Sequence, residues 1–196
     1  GAAQPPGEQE GVWRVGLDRY SWDGDSARAT RVGEAMLSFE GEDRFVFSWN
    51  LDGESGSEPM QWIDGGGCGS LNGASAALSG IWQAPSRPGF GYAINVFPGI
   101  ESNGVYFYDD QGVARWALSE VVSSGTSGLR LDQRDGFCSL CSWREPTVRE
   151  IGVMTRRYDS ASAGQIEVDL SLQPPLSGNW TVDLPSERLS NALRCQ

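Results

Sequence analysis

The chain has 196 residues, 39% of them hydrophobic and 10% aromatic, a globular composition long enough to bury a core. It contains no His and no Lys, which excludes Ser-His-Asp and Cys-His catalysis, His-ligated zinc, Schiff bases and the phosphate-binding loop lysine. A net charge of −11 argues against nucleic acid or an anionic membrane as partner, and no apolar run approaches the ~20 residues of a membrane span.

Residues 1–10 are polar and Pro-rich and read as a flexible lead-in, as at a mature N-terminus after signal removal, to one β domain over 11–196. Strands are expected at 11–17, 35–39 and 44–49, the last with Phe45, Phe47 and Trp49 on one face. Residues 50–59 read as a polar loop from which 60–63 returns. Glycine density predicts loop over 65–73, and 74–78 reads as one helical turn or more loop. A strand opens at 79–82, a Pro-broken connection spans 83–88, and 89–97 is a long strand. Asn103-Gly104 predicts a turn. The clearest hairpin is 105–108 and 113–118 around Asp109-Asp-Gln-Gly112, whose Gly supplies a positive φ.

Strands at 151–158 and 165–172 follow, with Ile166, Val168, Leu170 and Leu172 alternating against Glu167, Asp169 and Ser171. Pro174-Pro175 ends the second, 177–182 forms a further strand, and 186–193 reads as a short helix. Segments 47–63, 107–118 and, loosely, 153–168 echo one another as hairpins. Ser-Gly-x-Trp opens strands at 79 and 177, with a weaker copy at 11–13. The expected fold is all-β, an antiparallel meander of repeated hairpins closed as a barrel or sandwich, because repeated hairpins must cover their edges. The strand around Trp180 is expected to close against an early one.

The four cysteines, Cys68, Cys138, Cys141 and Cys195, are an even set that points to an oxidising compartment, secreted or periplasmic. Cys138–Cys141 with Cys68–Cys195 is the preferred pairing. The competing one joins Cys68 and Cys195 separately to the two cysteines of the 138–141 motif. That motif lacks the βαβ context of a redox site and the two-pair spacing of a zinc or iron–sulfur site.

Trp82, Trp116 and Trp180 lie within strand patterns and are expected in the core. Trp22 and Trp143, in turn-like contexts, are the candidate exposed binding aromatics, with Tyr92 and Arg87 as further ligand contacts. Glu167-Val-Asp169 is similar to the Glu-x-Asp of jelly-roll glycoside hydrolases. Ser171, Leu172 and Gln173 stand where a further acid would follow, so it reads as a solvated strand face. Asp23-Gly-Asp25 and Asp109-Asp110 read as turn chemistry rather than calcium ligands. No catalytic residue, metal or cofactor is assigned.

Ser79-Gly-Ile-Trp82, Pro85, Arg87, Gly89, Gly91, Tyr106, Tyr108-Asp109, Gly112 and Trp116 together follow the pattern SGxWxxPxRxGxG…YxYDxxGxxxW. The stretch resembles the Trp/Gly-rich repeat-type β domains of secreted proteobacterial proteins, over about 40 residues tightly. The segments at 50–59 and 138–141 depart from that pattern. The Gly-x-Trp strand starts also resemble those of calycin barrels such as lipocalins and avidins. The resemblance implies a secreted or envelope β module and supplies no catalytic residues.

The expected function is that of a secreted or periplasmic binding module using aromatic residues on a disulfide-stapled β scaffold. Its partner would be a protein, a glycan or a small apolar ligand. The alternatives are a carboxylate-based glycan-active enzyme and a structural component of a cell-surface or extracellular assembly. The sequence sets no oligomeric state.

Overall fold

Strands are the only regular elements among the described residues of the computed structural model, which are 11–41, 43–61, 68–123, 125–135 and 144–189. Period-two patterning and β-branched and aromatic content favour that outcome. Among these residues no helix is long and apolar enough to cross a membrane. Their contacts divide them into two compact units, one of 11–21 and 28–61, the other of 22–27, 68–123, 125–135 and 144–189. The expected lead-in at 1–10 lies outside the described residues.

The first unit is a four-stranded sheet in chain order: β1 (Val12–Trp22), β2 (Ala27–Phe39), β3 (Arg44–Leu51) and β4 (Glu54–Gln61). Trp22 and Ala27, at the ends of β1 and β2, count with the second unit. Ala35, Leu37 and Phe39 pair with Trp49, Phe47 and Phe45, so these apolar residues share one face. Trp13, Phe39 and Phe45 form a ring contact series at 5.5 and 5.6 Å. The expected loop at 50–59 is instead a two-residue hairpin. Asp52 and Gly53 both have positive φ (54° and 86°), the backbone a tight turn between twisted strands requires.

The second unit is an eight-stranded antiparallel barrel. Its strands are β7 (Gly80–Gln83), β8 (Gly91–Phe97), β9 (Ile100–Tyr108), β10 (Ala114–Ser119), β12 (Gly128–Asp135), β13 (Thr147–Tyr158), β14 (Ala163–Ser171) and β15 (Asn179–Arg188). Each pairs with the next, and β15 returns to β7 through Glu187↔Gln83 and Arg188↔Trp82, closing the ring. The last strand thus meets the first. A small β5–β6 hairpin (Gly69–Leu71, Ala74–Ala76) precedes the ring, where a loop or helical turn was expected, and β11 (Val122–Ser123) pairs with the start of β9. Residues 186–188, expected as helix, belong to β15, and 190–193 lie outside the described residues.

Eight strands enclose a space that side chains fill. Here Trp82, Tyr92, Val105, Leu129, Leu131, Met154, Ile166, Val168 and Leu170 fill it. β13 carries one residue more than β12 at the Leu131/Asp132 irregularity, a bulge of the kind that bends barrel strands. The interior also holds an ion pair, Arg156 with Glu101, both fully buried. Arg156 donates further to the Thr126 and Ser127 carbonyls, and Glu101 accepts from Asn103 and from the Gly125 amide. Such partners offset the desolvation that makes an isolated buried charge costly.

The expected disulfide-stapled scaffold requires correction. Among the described residues no disulfide joins two cysteines, because Cys68, which is not a free thiol, is the only cysteine there. Cys138, Cys141 and Cys195 lie outside them. The barrel of described strands is closed by backbone pairing and a packed interior.

Candidate ligand-binding cleft

At one mouth of the barrel three connections meet: the β7–β8 loop, the β9–β10 turn and the β14–β15 loop. They form a cleft of about 470 Å³, joined by Trp22 and Gly24. Its floor is aromatic. Trp180, at the start of β15, packs its ring against Phe90 at 4.7 Å and Phe107 at 5.4 Å. The Arg87 guanidinium lies 5.7 Å from the Trp180 ring centroid, a cation–π contact. One wall is Trp22 stacked on Tyr108, with ring centroids 6.2 Å apart.

Close backbone approach fixes this wall. The Trp22 amide donates to the Gly112 carbonyl at 3.0 Å. Gly112 has φ +73°, and a Cβ there would overlap the Trp22 carbonyl. A Cβ at Gly89, with φ +83°, would overlap the Tyr108 ring. Glycine is needed at both positions for its conformation and its lack of a side chain. The Trp22 end is shaped by Asp23, whose carboxylate accepts from the amides of Asp25 (3.1 Å) and Ser26 (2.9 Å). The β14–β15 loop is tied to β12, where buried Gln133 donates to the Gln173 carbonyl and accepts from its amide, each at 3.0 Å.

Two acids line the cleft, and their roles differ. Asp109 accepts from the amides of Gln111 (3.0 Å) and Val113 (2.9 Å) and from Arg115 Nε (2.7 Å). Burial by itself would raise its carboxyl pKa. The Val113 amide, the Arg115 guanidinium and the Gln111 amide outweigh that and hold it below the usual carboxylate value. Asp109 is therefore an ionised structural group of the turn. Asp110 is exposed and, like the Asn179 amide, has no hydrogen bond to its side chain among the described residues. The cleft thus offers one carboxylate, one amide and one guanidinium around an aromatic floor.

Of the residues singled out in the sequence, Trp22 and Arg87 meet in this cleft. Tyr92 does not. It is fully buried in the barrel, stacked on Trp82 at 6.0 Å and hydrogen-bonded to Ser186 at 2.9 Å, and burial pushes its phenol up to about 12. Trp143 lies outside the described residues. Trp82 is fully buried as expected, and Trp180 is half-buried at the mouth. Trp116 is corrected: it stands 50% exposed on the outer wall, opposite Tyr106. Glu167 and Asp169 lie on the outer face of β14, where Asp169 accepts from Thr181 at 3.1 Å.

Phe90, Phe107, Tyr108, Asp110 and Asn179 were not named as binding residues. The signal available for the first four was the dense motif from Ser79 to Trp116, whose glycines at 89 and 112 mark the close approaches that build the wall, whereas Asn179 lies in the separate Ser177-Gly-Asn-Trp180 strand start. No family model, curated protein or solved structure matches the chain.

Proposed function

We propose that the chain is a binding module whose cleft takes a neutral saccharide ring. The observation that carries this reading is the Trp180 ring, half-buried at the mouth on the buried Phe90 and Phe107 side chains, with Arg87, Asp110 and Asn179 beside it. A pyranose has an apolar C–H face that packs on an aromatic ring and a rim of hydroxyls that both donate and accept. Carboxylate, amide and guanidinium groups match such hydroxyls. The cleft volume lies in the range of small-molecule sites. Arg87 and Asp110 cancel locally, and a chain of net charge −11 repels polyanions. The carboxylate-enzyme alternative is less well supported, because it calls for an acid whose pKa is raised and Asp109 is held low by the turn.

Titration calorimetry with neutral oligosaccharides tests the reading. The wild-type chain is expected to bind at least one of the gluco- and N-acetylglucosamine series. Trp22→Ala and Asp110→Ala are each expected to weaken it about tenfold, about 1.4 kcal/mol, the scale of one lost ring contact or charged hydrogen bond. Wild-type affinity in both variants would show that binding takes place elsewhere.

A further inference from the structure

The cleft does not end at the barrel mouth. Tyr108, in its wall, belongs to the outward-facing set of β9, which continues at Tyr106 two residues along. Tyr106 pairs in register with Trp116 on β10. The two are 48% and 50% exposed, an adjacent pair of large aromatic side chains on the outer wall. The positions around Tyr106 are bare: Gly91 opposes it on β8, and Gly104 lies two residues away on β9. A Cβ at Gly104 would sit 3.5 Å from the Tyr106 hydroxyl, so the ring lies along the strand above that glycine, leaving a face open. Outward positions of β8 continue this floor as Gly91 and Ala93, bordered across β7 by Gln83 and Ile81, the latter 53% exposed. Beyond them Asn95 and Ser102 pair at the far end.

We propose that the mouth cleft is the head of a longer track and that its ligand is an oligosaccharide chain, whose following rings lie on Tyr106 and Trp116. This rests on the saccharide reading of the cleft and specifies its substrate class, a chain rather than a single sugar. The occupant follows from continuity. Tyr108 belongs both to the cleft wall and to the outward row, so a chain anchored on Trp180 leaves the mouth along that row. Flat rings over a glycine floor suit a succession of pyranose faces. A row without charge between Gly91 and Trp116 suits neutral units.

The test is a length ladder. Affinities are measured for β-1,4-glucan, α-1,4-glucan and β-1,4-N-acetylglucosamine oligomers of one to six rings, with wild type, Trp116→Ala, Tyr106→Ala and Trp116→Phe. In the series that binds, affinity is expected to rise about two- to tenfold for each outer ring engaged. Both alanine variants are expected to flatten that rise without changing affinity for one or two rings, and Trp116→Phe to restore most of it. Length-independent affinity, or equal loss for short and long oligomers in the alanine variants, overturns the track while the cleft reading stands. No binding at any length in any series overturns the saccharide reading, and the track with it.

Discussion

The carboxylate of Asp109 organises the β9–β10 turn by accepting two amides and a guanidinium, and its side chain is nearly buried. Its folded pKa lies below the value it has in an unfolded chain, so the folded state favours the ionised form. The sign follows. The stabilisation is fully present above the ordinary carboxylate pKa and is lost as pH falls through the lower folded value. Asp109→Asn is expected to weaken that part of the acid-unfolding profile, and Asp109→Ala to cost about 1–3 kcal/mol at neutral pH. Urea titrations between pH 2 and 7 check both. Identical profiles for wild type and Asp109→Asn would remove the residue from this role. At this scale the sequence was partly legible. Asp109 and Asp23 read as turn carboxylates and act as such, and Trp22 and Arg87 do meet in a cleft. Tyr92 lacked a legible signal, because alternation along one strand does not say which face the barrel will close over. The same ambiguity affects Trp116, whose strand pattern suits the core and whose side chain stands on the outer wall.

Turns separate what local chemistry dictates from what tertiary pairing overrides. Asp52-Gly53 and Asn72-Gly73 both adopt positive φ and make two-residue hairpins. Their dipeptides carried that information, but polar and glycine-rich surroundings masked it. Asn103-Gly104 carries the same kind of signal and forms no turn. It lies inside β9, with the Asn103 amide donating to Ser119 and its side chain to Glu101, while the chain reverses at Pro98-Gly99 instead. There the Asn103 side chain supplies Glu101 with a further donor beside the buried Arg156, a contact that a turn at 103–104 would forgo. Gly112 shows the converse, a local signal that survives and acquires a second task. Gly112→Ala strains a positive-φ position and drives a methyl group into the Trp22 carbonyl. The expected result is a loss of about 1–3 kcal/mol in stability together with release of the Trp22–Tyr108 stack. Near-ultraviolet circular dichroism and saccharide affinity are expected to fall together in this variant. A destabilised protein that keeps both would show that the turn and the wall are independent.

Packing is distributed unevenly over the molecule. In the four-stranded sheet, Ala35 is the only fully buried apolar residue among the described ones, and the aromatic face of β1–β3 is half-buried. The barrel encloses Trp82, Tyr92, Leu129, Leu131, Met154, Ile166, Val168 and Leu170 with essentially no exposure. Closure also leaves the barrel ring without an open edge, whereas β4 ends its sheet with exposed residues along almost its full length. Opening a segment exposes what that segment had buried, so the cost of opening follows the core. Alternation announced many of the barrel strands. It did not announce β12, whose apolar positions Leu129 and Leu131 are too few to stand out between Arg130, Asp132 and Gln133. That strand is needed to join β10 to β13 and complete the ring. Native-state hydrogen exchange reads the consequence directly. Amides of β12, β13 and β14 are expected to exchange at the slow limit set by global unfolding of the barrel. Amides of β3 and β4 are expected to exchange at least about tenfold faster, about 1.4 kcal/mol closer to the open state. Equal protection in the two sets would mean that the half-buried aromatic face of the sheet is as effective a core as the barrel interior, and that stability in this chain does not follow the burial of its apolar side chains.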